Sequence, residues 1–75
     1  MELHEKFRKA LLVLRRRDMK LTQNDIAMEA DMSLRYYQNL ESGKRKNPSL
    51  DIVDKIAHAH GMTLSEFCKI MEDMD

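Results

Sequence analysis

The chain has 75 residues, 43% hydrophobic and 35% charged, with thirteen Lys and Arg offset by thirteen Asp and Glu. A chain this short makes one domain and buries only about 60% of its unfolded surface, so no cleft-sized enzyme is expected. Cys68 is the one cysteine, which excludes an internal disulfide, and no apolar run approaches the ~20 residues of a membrane span.

In chain order, every element reads as helix; nothing shows the period-2 alternation of a strand. Phe7, Ala10, Leu11 and Leu14 recur at intervals of three to four and predict a first helix over about 2–17 with one apolar face. Lys20-Leu21-Thr22 breaks the pattern. Thr22 then caps a second helix over about 22–30, with Asp25 in its first turn and Ile26, Ala27 and Ala30 inward. Asp31-Met32-Ser33 is a short turn. Ser33 caps a third helix over about 33–42, which ends at Gly43. Its adjacent tyrosines project about 100° apart, so only one faces the core; Tyr37 is assigned inward with Leu40, and Tyr36 outward. After the basic loop Lys44-Arg45-Lys46-Asn47-Pro48, Ser49 caps a fourth helix over about 49–60, with Leu50, Val53, Ile56 and Ala57 expected inward. Gly61 stops it. Thr63 and Glu66 form a capping box for a fifth helix whose apolar stripe is Leu64, Phe67, Ile70 and Met71. The expectation is an all-α fold of five short helices in a single domain, residues 1–75.

The net charge of zero hides an asymmetry. Residues 1–48 hold eleven Lys and Arg against seven Asp and Glu, while residues 49–75 hold two against six. Such a domain can turn a basic face to phosphates and keep an acidic face away from them. Within the basic part, residues 22–42 make two short helices joined by a tight turn. That arrangement holds the second helix proud of the domain, at a width that fits the DNA major groove.

Over almost its whole length the chain resembles the Cro/repressor-type, or XRE, helix-turn-helix family. The residues that carry the resemblance are Leu21-Thr22-Gln23, Ile26-Ala27, Met32-Ser33, Leu40-Glu41-Ser42-Gly43, Asn47-Pro48-Ser49-Leu50 and Gly61-Met62-Thr63-Leu64-Ser65-Glu66-Phe67. Three features depart from the family's commonest form: an extra residue between Arg15 and Leu21, Asp31 where the turn usually has Gly, and Lys46 in a lengthened loop.

The resemblance implies a five-helix, lambda-repressor-like fold and a transcription regulator whose third helix enters the major groove of double-stranded DNA. By position, Leu34, Arg35, Tyr36 and Asn39 are the base-contact candidates. Arg35 suits guanine O6 and N7, Asn39 suits adenine N6 and N7, and Leu34 suits a thymine methyl. Gln38 lies nearer the edge of that face. Gln23, Ser33, Lys44, Arg45 and Lys46 are the candidates for phosphate contact. Glu41 is expected to pair with Arg15 of the first helix, Arg16 being the second choice, as a structural ion pair. Half-sites one helical turn apart require two copies, so a homodimer on a pseudo-palindromic operator is expected, with Met62, Phe67, Cys68 and Met71 at its interface.

Other function classes are disfavoured by spacing. His58 and His60 lie some 200° apart around one helix and cannot share a metal ion, and His4 has no evident partner. His60 reads as a packed histidine. There is no nucleophile–base constellation and no phosphate-cradling glycine loop, so neither catalysis nor a cofactor is expected, and no small-molecule ligand is evident. The acidic opening Met1-Glu2-Leu3-His4-Glu5 is unlike a secretory signal, which with the free thiol points to the cytoplasm. The competing reading is the same fold serving as an antitoxin or adaptor through protein–protein contact.

Overall fold

A computed structural model describes residues 1–74 and contains five α-helices: α1 (Leu3–Arg17), α2 (Gln23–Glu29), α3 (Leu34–Ser42), α4 (Leu50–Ala59) and α5 (Leu64–Glu72). No strand occurs among the described residues. Local chemistry explains the boundaries. Thr22, Ser33, Ser49 and Thr63 each take an extended N-cap conformation and accept a backbone N–H from the third residue of the helix that follows. Thr22–Asp25 and Thr63–Glu66 are reciprocal capping boxes. The Thr63 backbone N–H, donating to Oε1 at 2.8 Å, holds the exposed Glu66 carboxyl below the usual range.

Two helices end in the same turn. After α2, the Met32 N–H donates to the Ala27 carbonyl at 2.9 Å and the Asp31 N–H to Met28 at 3.1 Å; after α4, Met62 donates to Ala57 at 3.0 Å and Gly61 to His58 at 2.9 Å. Both are Schellman turns, whose pivot residue must adopt the left-handed conformation. Gly61 does so at φ 74° without steric penalty, whereas Asp31 does so at φ 56° with a Cβ. The turn into α3 therefore keeps its usual shape despite the missing glycine.

Packing puts α1 against α3 and α5, α2 against α3 and α4, and α4 against α5. All five helices feed one buried cluster, with Leu11, Leu14, Ile26, Leu40 and Ile56 fully enclosed. Phe7 and Phe67 meet edge to face at 5.9 Å, joining α1 to α5. Ala27 and Ala30 bury only methyl groups on α2, which packs against α3 and α4.

Two expectations about this core are corrected. Leu50 is 68% exposed, because at the first position of α4 its side chain projects past the packed face rather than into it. Phe67 is 0% exposed and held by Phe7, so it has no surface to give a second subunit; Met62 and Met71, at 8%, are nearly as enclosed. Of the four residues expected at a dimer contact, only Cys68 keeps appreciable surface. An apolar stripe on a terminal helix looks the same in sequence whether it closes the core or a dimer.

Candidate nucleic-acid interface

The third helix has two unlike faces. Its inner face carries Tyr37, Leu40 and Glu41, all buried. Glu41 is a carboxylate only 7% exposed, and burial of such a group is unfavourable unless it is paired and hydrogen-bonded. Here it receives four bonds. Arg15 grips it with two parallel bonds, Nε to Oε2 and Nη2 to Oε1, each 2.8 Å. The Tyr37 hydroxyl donates to Oε2 at 2.7 Å and Gln23 Nε2 to Oε1 at 3.0 Å. Burial pushes the Glu41 carboxyl up, but the donors from Arg15, Tyr37 and Gln23 outweigh it and leave the group below its ordinary range. The same bond to Glu41 raises the Arg15 guanidinium. Burial, reinforced by the Glu41 carboxylate, pushes the Tyr37 phenol well above its usual range.

The expected Arg15–Glu41 pair is thus present, in the bidentate form that fixes direction as well as distance. Arg16 is exposed and takes no part. Two further members went unforeseen. Tyr37, placed inward by helical geometry, has a hydroxyl that needs a buried partner, and Glu41 one turn on supplies it. Gln23 is bound into the same network from the first turn of α2. Three helices therefore meet on one carboxylate, and the axis of α3 is fixed against α1 and α2.

The outer face is exposed. Leu34, Arg35, Gln38 and Ser42 are exposed, and Asn39 is half-buried between them. Arg35 makes no salt bridge or side-chain hydrogen bond within the described residues, and neither does the Asn39 amide. Ser33 is exposed at the tip of the helix, where its Oγ accepts the Tyr36 N–H at 3.1 Å and its hydroxyl proton stays available. Tyr36 differs from expectation: it is half-buried against the core, and Arg45 lies over its ring at 4.7 Å. It projects about 100° around the helix from Arg35, on the side opposite Leu34, where Arg45 from the loop after α3 stacks on it.

That loop is held against α3. The Gly43 N–H donates to Leu40 at 3.3 Å and the Arg45 N–H to Asn39 at 3.0 Å, so two carbonyls at the C-terminal end of α3 are satisfied by loop amides. Gly43 has φ 86°, and a Cβ there would meet the Arg8 side chain at 3.4 Å. Lys44, Arg45 and Lys46 are exposed beyond it. The basic residues thus flank the C-terminal end of α3, Ser33 caps its N-terminal end, and Gln23 in the first turn of α2 meets its middle and last turn through Gln38 and Glu41.

A second polar bridge leaves the end of α1. Arg17 binds Asp18 through Nε at 3.0 Å and Nη2 at 2.7 Å, and Nη2 also reaches the His60 carbonyl at 3.1 Å. Asp18 Oδ2 lies 2.9 Å from His60 Nδ1. The Arg17 bonds, with a smaller share from His60, hold the Asp18 carboxyl down to about 2. An ionised carboxylate only accepts, so the Nδ1 atom carries the proton. His60 Nε2 is buried without a hydrogen-bond partner among the described residues. His60 is the packed histidine expected from sequence, and its partner lies 42 positions away. His58 sits 3.4 Å from Asp54 on the outside of α4, and no group of three metal-ligating side chains occurs among the described residues. Nor is any described helix long and apolar enough to cross a membrane.

Comparison with known proteins agrees with this geometry. The helix-turn-helix family model matches residues 12–67, which run from the middle of α1 to the middle of α5. A control protein, C.MunI of Mycoplasma sp, is 37% identical over 67 residues, covering 89% of each chain. The motif, its spacing and the fold that presents α3 establish the family: the chain belongs to the XRE, or Cro/repressor-type, helix-turn-helix family of DNA-binding transcription regulators.

Proposed function

We propose that the protein is a sequence-specific regulator that binds a pseudo-palindromic operator as a homodimer, with α3 of each copy in a major groove. The observation that carries this reading is the contrast between the two faces of α3. The inner face is fixed by a carboxylate with four donors, and the outer face leaves Leu34 exposed and the Arg35 and Asn39 side chains without hydrogen-bond partners among the described residues.

In the bound state Arg35 reads guanine through paired donors to O6 and N7, Asn39 reads adenine, and Leu34 packs on a thymine methyl. Gln23, Ser33, Lys44, Arg45 and Lys46 hold the flanking phosphates and set the register in which these side chains meet the bases. Gln23 gives one N–H to Glu41 and keeps a second for a phosphate oxygen. Arg45, stacked on Tyr36, has its guanidinium ordered before DNA arrives, which lowers the entropy lost on binding. Tyr36 supports this contact from beneath. The second copy covers the apolar surface at Leu3 and Leu50, both largely exposed, beside the groove in which Cys68 lies. The protein acts in the cytoplasm, with no cofactor, metal or small-molecule ligand.

Selection of bound duplexes from a random pool at low salt tests this reading. An enriched palindromic consensus with half-sites about one helical turn apart is the expected result. Failure to enrich any sequence, with a tightly bound protein recovered instead, overturns it in favour of an adaptor or antitoxin role.

A further inference from the structure

The Glu41 network continues past Gln23. Gln38, an exposed side chain one turn beyond Leu34 on α3, donates from Nε2 to Gln23 Oε1 at 3.1 Å. The direction of each bond in this chain is set by the one before it. Glu41 is ionised, held by Arg15, and accepts only. Gln23 must therefore turn its amide nitrogen inward to Glu41, which points its carbonyl oxygen toward α3. A carbonyl demands a donor, so Gln38 in turn presents its NH2 to Gln23 and directs its own carbonyl away. The buried ion pair thus dictates which end of an exposed amide faces outward, two residues removed.

We infer that Gln38 is a further specificity-determining residue, held by Gln23 so that its Oε1 and remaining N–H meet an adenine edge in the major groove. This rests on the reading of α3 as the groove-binding helix. A primary amide recognises adenine by accepting from N6 and donating to N7, and an acceptor and a donor are what Gln38 has left. A phosphate offers only acceptors and would engage the remaining N–H alone, leaving the outward carbonyl unpaired, whereas an adenine edge uses both groups. Gln38 lies about 60° around the helix from Arg35, on the side nearer α2, and extends the reading face by one position in that direction.

The test is selection from a random duplex pool with three proteins: the unaltered chain, Gln38→Ala and Gln38→Glu. Gln38 is exposed, and an unchanged helical circular dichroism spectrum and melting temperature would confirm intact folds. The unaltered chain is expected to select adenine at one symmetry-related position, by about ten-fold or more over other bases. Gln38→Ala should lose that preference and retain the rest of the consensus. Gln38→Glu, an acceptor without a donor, should move the preference toward cytosine, whose N4 amine donates. A residue that only braced Gln23 would not redirect the choice of base. If Gln38→Ala selects the same consensus as the unaltered chain, or weakens all sequences alike, Gln38 does not read a base, although α3 still does. If the unaltered chain selects no sequence at all, groove reading by α3 fails, and the role of Gln38 fails with it.

Discussion

Two polar bridges leave the C-terminal end of α1, and they differ in how completely they are satisfied. Arg15 reaches α3 and meets Glu41, whose two oxygens receive donors from Arg15, Tyr37 and Gln23. Two residues on, Arg17 and Asp18 reach the end of α4 and meet His60, whose Nε2 stays buried and unpaired among the described residues. A satisfied buried network rigidifies the element it holds, while one with an orphaned atom offsets part of its own contribution. The first bridge sets the angle of the helix that faces DNA, and the second closes a packed corner. Orientation is concentrated where function needs it.

Breaking each bridge should separate the two roles. Glu41→Ala leaves Arg15 without a counter-charge and the Tyr37 hydroxyl buried without an acceptor. Losing one partner of a buried pair costs about 3–5 kcal/mol, and the lower end applies because the Arg15 side chain is 32% exposed and can rehydrate. Thermal unfolding should show a drop of more than about 10 °C. A loss below 1 kcal/mol would mean that α3 is held by apolar packing alone.

Acidification probes both bridges at once. The folded-state pKa values of Asp18 and Glu41 are depressed, so the unfolded chain takes up protons first as pH falls. Their stabilisation is present above the ordinary carboxylate range and is lost as pH drops through it, toward about 2 for Asp18. Asp18→Asn should remove a share on the order of 1 kcal/mol, allowing for its contact with solvent, and flatten the decline between pH 4 and 2, read by denaturant titration. An unchanged acid profile would show that Asp18 is not ion-paired in solution.

His60→Leu should be nearly neutral, within about 1 kcal/mol. It removes the orphaned Nε2 and adds apolar contact, while Asp18 keeps its two bonds from Arg17. A cost approaching that of Glu41→Ala would erase the distinction between the bridges. The smallest effect concerns the two matched turns. Asp31→Gly should stabilise by about 0.5–1 kcal/mol, since Gly61 occupies the equivalent position of the same turn without a Cβ. Denaturant midpoints would register it, and a destabilisation would show that the Asp31 side chain contributes more than its backbone strain costs.

What the sequence reveals depends on how local the cause is. Helix starts were legible because Thr22, Ser33, Ser49 and Thr63 act on residues three positions away. Tyr37 was legible because helical pitch allows only one of two adjacent tyrosines inward. The Arg15–Glu41 pair, 26 positions apart, was legible only through family resemblance. Gln23 to Glu41, Gln38 to Gln23 and Asp18 to His60 span 18, 15 and 42 positions and exist only once helices cross. Leu50 misled because apolar spacing does not reveal where a helix end overshoots its neighbour. Phe67 and Met71 misled because periodicity marks an apolar face without saying what covers it, and Met62, in the turn before α5, because an apolar residue beside that face does not reveal which side it packs on.

Base reading by α3 and backbone grip by the loop after it are separable jobs. Paired salt titrations of Arg35→Ala and Lys44→Ala, on the selected site and on a random duplex, separate these jobs directly. Arg35→Ala should weaken the selected site by about 1–3 kcal/mol, spare random DNA and relax one base position. Lys44→Ala should weaken both DNAs alike and lower the salt slope by about one. Equal losses on both DNAs for Arg35→Ala would contradict base reading by α3.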